Sequence, residues 1–97
     1  MIQDAIDKLA RALGTDYDRI VSRGREQWLS DRRTVVIYCL YQSGWWNNPE
    51  IGRAMDRSHS CVNEARKRVE AWMEFPKSYQ QQLSLLRTAS GINLNNR

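Results

Sequence analysis

The sequence predicts an all-α protein, a compact bundle of about five to six helices. The chain of 97 residues is 41% hydrophobic and 27% charged, which is a globular composition at a length that suits one buried core. Apolar residues recur at helical spacing along most of the chain, and only one short segment favours a strand. We therefore expect a single helical domain over residues 1–90, followed by a polar, flexible tail over residues 91–97.

The first helix is predicted near the N-terminus, where apolar residues recur at helical spacing and Gly14 suits the C-cap. Its apolar residues are Ile2, Ala5, Ile6, Leu9 and Leu13. Thr15 and Asp16 can cap a short turn that follows. The polar segment SRGRE, residues 22–26, then interrupts the helical pattern, with Gly24 as the breaker.

The central segment TVVIYCLYQ, residues 34–42, fits a strand or a helix. Its β-branched and aromatic residues favour a buried strand, whereas Ser30 or Asp31 could cap a core helix. The rest of the chain offers no second strand, and an unpaired strand leaves main-chain groups unsatisfied. We therefore predict a helix with Cys39 in the core. The preceding residues 19–33 carry five arginines against two acidic residues, and we expect them to form a basic loop.

Two further helices are predicted over residues 49–70, joined by a tight turn. Asn48 suits the N-cap of the first, and Pro49 suits its first helical position. Asp56 and Arg57 end this helix, and Ser58 can cap the second. An apolar stripe at helical spacing then marks the buried side of the second helix: Val62, Ala65, Val69 and Trp72.

Pro76 ends the second of these helices, because the residue before a proline avoids the helical region. A last helix is predicted over residues 78–87, with Tyr79, Leu83 and Leu86 facing inward. In the connector before Pro49, Trp45 and Trp46 could stack on a base, but we expect at least one of them to pack on the core.

Composition argues against several classes of function. The net charge of +4 is mild and by itself indicates little about partners. Cys39, Cys61 and the single histidine form neither a disulfide framework nor a zinc pattern, and no catalytic set is evident. The N-terminus does not resemble a signal peptide, and no window is apolar enough to span a membrane. We expect a soluble, cytoplasmic protein that is not an enzyme and has no cofactor, small-molecule substrate or membrane partner.

A short helix, a tight turn and a longer helix with inward apolar faces are typical of a helix-turn-helix. The apolar stripe leaves polar side chains on the outer side of the second helix: His59, Ser60, Asn63, Arg66 and Lys67. Asparagine can pair with adenine, while arginine and lysine reach guanine or phosphate. The main-chain N–H groups at both helix starts suit phosphate oxygens. Helical hairpins with polar outer faces are common, so the pattern alone leaves a purely structural role open.

Three segments of the sequence resemble the C-terminal DNA-binding domain of the bacterial replication initiator DnaA. They are SDRR at residues 30–33, PEIG at residues 49–52, and RSHSCV at residues 57–62 with ARKRVE after it. That family has a Pro-Glu-Ile-Gly helix start, an Arg-Asp-His-Thr-Thr-Val signature and a basic Arg-Lys-Ile end. The resemblance covers about residues 3–88. It implies a Trp-repressor-like fold whose recognition helix enters the major groove, with a basic loop that places arginine in the minor groove.

The resemblance places this chain's residues 57–61, Arg57, Ser58, His59, Ser60 and Cys61, on the family's Arg-Asp-His-Thr-Thr, after a turn one residue shorter. Arg33 falls on the last residue of the family's Arg-Pro-Arg loop, whereas Asp31 stands at the minor-groove arginine and Arg32 at the proline. Either Arg32 has taken over that contact or the contact is lost. Ser58 and Cys61 replace an Asp and a Thr, so the family's preferred site need not apply.

The expected partner is therefore double-stranded DNA, bound in a sequence-specific manner by a regulator or a replication accessory associated with the nucleoid. The candidate contacts are Arg32, Arg33, Pro49, Arg57, Ser58, His59, Ser60, Cys61, Asn63, Arg66 and Lys67. Cys61 could be a reactive thiol, although a small polar filler is the better interpretation. The alternatives are an RNA-binding or a protein-interaction helical module. The family's ATPase domain does not fit in 97 residues, so we do not expect this chain to open an origin by itself.

Overall fold

A computed structural model describes residues 1–94 and confirms the all-helical prediction. Within these residues the chain forms six helices and no strand, and the order along the sequence is as follows: α1 Ile2–Ala12, α2 Tyr17–Val21, α3 Gln27–Ser43, α4 Asn48–Ala54, α5 Ser60–Glu74 and α6 Gln80–Ser90. The central helix α3 contacts every other helix, and its most extensive contacts are with α5. The fold is thus a bundle arranged around one buried helix.

Local signals in the sequence explain where the first helices begin and end. Helix α1 ends at Ala12, and Gly14 then adopts a φ of 81°, a conformation that glycine reaches without the steric cost of a Cβ atom. Asp16 is the N-cap of α2, and its carboxylate accepts a hydrogen bond from the main-chain N–H of Arg19. Residues 22–26 form the connection to α3, as the SRGRE segment predicts.

The start of α3 differs from the prediction. The helix begins at Gln27, with Glu26 as its N-cap, so neither Ser30 nor Asp31 caps it. The basic loop expected over residues 19–33 is therefore limited to residues 22–26, because residues 19–21 belong to α2 and residues 27–33 form the first turns of α3. Asp31 and Arg33 are buried, so polar residues face the interior in this part of α3. The apolar spacing that identifies a helix is therefore missing here.

The core is formed where α3 packs against the other helices. It contains the predicted stripe of α5, namely Val62, Ala65, Val69 and Trp72, together with Ile51 and Met55 near α4. Cys39 is buried in the core, as expected, and burial raises the pKa of its thiol to about 11. Of the tryptophan pair, Trp46 packs partly against the core, whereas Trp45 is about half exposed.

The last helix, Gln80–Ser90, begins two residues later and ends three residues later than predicted. Leu86 is buried, and Tyr79 and Leu83 pack partly against the core. Of the predicted tail, Ile92 and Leu94 pack partly against the core as well, whereas residues 95–97 lie outside the described residues.

Candidate nucleic-acid interface

Helices α4 and α5 are joined by residues 55–59, and a close approach of the main chain fixes this connection. A Cβ atom placed on Gly52 would lie 2.9 Å from the carbonyl oxygen of Arg57 and 3.0 Å from the Cα atom of His59. Only glycine therefore fits on this side of α4 without displacing the main chain of the connection. Asp56 has a φ of 56°, a left-handed conformation that aspartate tolerates better than most residues, and this reverses the chain between the helices.

The beginning of α5 differs in detail from the prediction. The helix starts at Ser60 and its N-cap is His59, which makes no side-chain capping hydrogen bond. Ser58 therefore does not cap the helix, and its hydroxyl instead hydrogen-bonds with the hydroxyl of Ser60 at 2.7 Å. Both serines and His59 remain exposed. The three side chains thus form a polar surface at the start of the helix.

The outer side of α5 lies where the apolar stripe predicts. Val62 and Val69 are fully buried, and on the opposite side Asn63 and Lys67 are exposed and continue the surface of His59 and Ser60. We call this set, His59, Ser60, Asn63 and Lys67, the outer face of α5. Its side chains are polar at the start of the helix and basic at Lys67, and the exposed carboxylates of Glu64 and Glu70 lie on the same side of α5.

Two other predicted contacts of α5 are not part of the outer face. Cys61 is buried, and burial raises the pKa of its thiol, so it is neither a base-reading side chain nor an activated thiolate. Arg66 is half buried, with its guanidinium carbon 4.8 Å from the ring centre of Tyr41. This stacking tethers Arg66 to α3.

Arg33 and Arg57 are held at the end of α2. Arg33 donates hydrogen bonds to the carbonyl oxygens of Ile20 and Ser22, at 2.7 and 3.1 Å. Arg57 donates to Met55 and, at 2.8 Å, to the same Ser22 oxygen. Burial lowers the pKa of both guanidinium groups, and repulsion from Arg57 lowers that of Arg33 further. Arg33, one of the predicted DNA contacts, is therefore buried and bound to main-chain carbonyl groups.

Arg32 points to another side of α3. Its guanidinium donates to the carbonyl oxygens of Leu13 and Trp28, and it stacks at 5.5 Å on the ring of Trp28. Arg32 lines the cavity between α3 and α6, whereas Arg33 lines the groove between α3 and α5. The structure thus does not bring Arg32 together with the outer face of α5.

Pro49 is exposed in the first turn of α4, but the donors around it are partly used. The N-cap is Asn47, one residue before the predicted Asn48, and it forms a capping box with Glu50. The Asn47 side chain accepts from the main-chain N–H of Glu50, and the Glu50 carboxylate accepts from that of Asn47, both at 2.9 Å. These two hydrogen bonds occupy main-chain N–H groups at the start of α4. Fewer N–H groups are therefore available to bind an anion there than the sequence predicts.

A basic groove of about 440 Å³ runs between α3 and α5 beside the outer face. Its charged lining consists of Arg33, Arg57, Lys67 and Arg68 against Glu64. Arg68 donates to the hydroxyls of Ser30 and Thr34, at 3.0 and 3.4 Å, and so spans the groove. Arg57 also lines a second concavity, which adjoins the groove at the α4–α5 connection.

This second concavity, of about 430 Å³, lies at the α4–α5 connection, and we call it the turn cleft. It is lined by Arg23, Arg53, Asp56, Arg57 and Ser58. Sequence reasoning missed Arg23, Arg53 and Arg68 as site residues. The excess of arginine over residues 19–33 is a partial signal for Arg23 alone, because the meeting of this segment with residue 53 is a property of the tertiary fold.

Comparisons of the chain with protein-family models and with curated proteins give no match. No helix in the described part of the chain is long and apolar enough to cross a membrane. Residues 1–94 also contain no cluster of three or more His, Cys, Asp or Glu side chains placed to hold a metal ion.

Proposed function

We propose that this chain is a sequence-specific, double-stranded DNA-binding domain in which α4 and α5 act as a helix-turn-helix and α5 enters the major groove. The observation that carries the proposal is the position of the outer face of α5. Its exposed polar side chains lie at the start of a 15-residue helix, and basic side chains flank them in the groove and the turn cleft. Base-reading groups flanked by phosphate-binding cations are what duplex recognition requires.

The side chains of the outer face suit base recognition near the start of α5 and phosphate binding further along the helix. His59 and Asn63 carry hydrogen-bonding groups that suit base edges, and Lys67 carries a cation that suits a phosphate. Arg68 and Arg23 add charge on either side of this face. The resemblance to the DnaA C-terminal domain belongs to the same proposal, with a role in regulation or as an accessory to replication at the nucleoid.

The arginine that would enter the minor groove is reassigned within this proposal. The loop that precedes α3 is residues 22–26, and its exposed arginines are Arg23 and Arg25. Arg23 or Arg25 is better placed to reach a DNA groove than Arg33, which is buried, or Arg32, which lies toward α6. We therefore replace Arg32, Arg33 and Cys61 in the contact set by Arg23, Arg53 and Arg68.

Selection of bound sequences from a pool of random duplexes tests the proposal. We expect an enriched motif, and tighter binding of that motif than of its scrambled version. Arg87→Ala, which removes an exposed cation on α6 outside both concavities, is the matched control and should enrich the same motif. Absence of any enriched motif would contradict sequence-specific binding. Tighter binding of single-stranded RNA than of duplex would support the RNA-binding alternative instead.

A further inference from the structure

The turn cleft is a concavity in which Arg23 meets Arg53 and Arg57, which lie much later in the sequence. Arg23 comes from the loop before α3, Arg53 from α4, and Arg57 from the α4–α5 connection. Ser58 adds a hydroxyl, and among the described residues Asp56 provides the one carboxylate of the lining. The cleft is open to solvent, so a group on a large ligand can enter it.

Positive charge exceeds negative charge in this cleft. Arg57 is fixed by hydrogen bonds to the carbonyl oxygens of Met55 and Ser22, and neither Arg57 nor Arg53 forms an ion pair within residues 1–94. Burial lowers the pKa of Arg57, and the nearby charge of Arg23 lowers it further. A site of this kind attracts an anion.

The carboxylate of Asp56 partly balances this positive charge from within the protein. Its carboxylate lies 3.3 Å from the guanidinium of Arg23, and the two side chains are 73% and 76% exposed. An ion pair this exposed contributes little to stability, because water competes for both partners. Arg23 can therefore exchange Asp56 for another anion at little cost, but the carboxylate repels any anion that approaches.

We propose that the turn cleft holds a backbone phosphate of bound duplex DNA, and that the Asp56 carboxylate occupies this site until the phosphate displaces it. The inference rests on the proposed DNA binding and adds a restraint on affinity within the domain. Arg23 is released from Asp56 when DNA binds and pairs with the phosphate, while Arg53, Arg57 and Ser58 complete the site. Asp56 thus lowers the affinity for duplexes of every sequence.

The test compares Asp56→Asn with the native chain in duplex titrations at several salt concentrations. Asparagine is nearly isosteric and tolerates the positive φ, so the fold should persist with little change in melting temperature. Removing one charge close to a phosphate should tighten duplex binding about three- to tenfold at low salt. Arg23 pairs with the phosphate in both proteins, so the log–log salt dependence should stay nearly unchanged. The gain in affinity should be similar on preferred and scrambled duplexes.

Two further variants test whether the increase in duplex affinity comes from loss of the Asp56–Arg23 ion pair. Asp4→Asn makes the same change in net charge on α1, which does not line the cleft, and should tighten binding less than about twofold because of distance and screening. Arg23→Gln should weaken binding and reduce the salt slope by roughly one. In the Arg23→Gln background, Asp56→Asn should give a smaller gain than in the native chain, because the ion pair is already absent.

The outcomes distinguish this inference from the function on which it rests. If the native chain and Asp56→Asn both fail to bind duplex at low salt, the proposed function is wrong, and the inference falls with it. If the native chain binds duplex but Asp56→Asn gains no more than Asp4→Asn, the inference alone is overturned. Replacing chloride by inorganic phosphate at equal ionic strength tests whether the turn cleft binds a free phosphate ion. A stabilisation of Asp56→Asn by phosphate without a gain in duplex affinity would also overturn the assignment to DNA.

Discussion

Arg33 and Arg57 share one acceptor, because each donates a hydrogen bond to the main-chain carbonyl oxygen of Ser22, at 3.1 and 2.8 Å. The two arginines come from α3 and from the connection between α4 and α5. Their common acceptor therefore ties the central helix, the loop before it and the start of α5 into one unit. The partial negative charge of carbonyls at the end of α2 helps to hold two like charges together.

Replacing Arg33 by methionine should destabilise the fold. The substitution leaves the carbonyl oxygen of Ile20 without its side-chain donor and removes one of the two bonds to Ser22, at a cost of about 1–3 kcal/mol. Urea denaturation measures this loss. Arg25→Met, which changes an exposed arginine of the neighbouring loop, is the control and should stay within about 0.5 kcal/mol of the native chain. Equal stability of the two variants would show that the buried contacts of Arg33 contribute nothing net.

Replacing Val62 by aspartate should abolish cooperative folding. Val62 is fully buried between α5 and the core, and an unpaired carboxylate there costs several kcal/mol, on the order of the total stability of a small domain. The thermal transition followed by circular dichroism should disappear. Lys67→Asp places the same side chain on the outer face of the same helix and should keep its transition. Normal melting of the Val62 variant would mean that α5 is rotated from its described position.

Stability should fall at high pH because of Cys39. The folded-state pKa of this thiol is raised to about 11 from an ordinary value of 9.0, so the folded state holds the proton more tightly than the unfolded state does. The resulting stabilisation is fully present below pH 9 and is lost as the pH rises through about 11, on the order of 2 kcal/mol in total. Urea midpoints from pH 8 to 11 measure it. Cys39→Ala should lose less stability over this range, and an equal loss would contradict the prediction.

The sequence predicted those features that depend on apolar spacing. Gly14 marks the end of α1, and the Val62 register correctly orients α5, so His59, Asn63 and Lys67 are exposed as expected. The first turns of α3 could not be predicted in this way. They bury Asp31, which accepts from Gln27 and Gln82, and Arg33, which donates to main-chain carbonyls. Such polar burial depends on partners from other elements and leaves no hydrophobic pattern.

Sequence alone could predict only the part of the site that lies on one helix. Register alone placed the outer face of α5, but Cys61 lies next to Val62 at the boundary of the core, where spacing does not decide burial. The turn cleft joins Arg23 to Arg53, which are far apart in the chain, and their meeting depends on how α2 and α4 each pack against α1 and α3. Sequence spacing carries no information about that distance.

Substitutions on the outer face of α5 should separate base reading from anchoring. His59→Ala or Asn63→Ala should weaken the preferred duplex by about 1–3 kcal/mol, narrow its advantage over a scrambled duplex and leave the salt slope nearly unchanged. Lys67→Ala should instead weaken both duplexes about equally and reduce the slope by roughly one. Fluorescence anisotropy titrations against the two duplexes measure these effects. If the His59 and Asn63 variants weaken both duplexes equally, this face anchors the protein without reading sequence.

The salt dependence of duplex binding tests the DNA-binding proposal most directly. About four to five phosphate contacts from the basic groove, the turn cleft and the outer face should give a slope of log affinity against log salt of roughly −4 to −5, at about −0.9 for each neutralised phosphate. Titrations of the native chain with its selected duplex between low and physiological salt measure this slope. We expect tight binding at low salt that falls steeply along this line. A slope near zero, or no duplex binding at low salt, would contradict the proposal that this chain binds DNA.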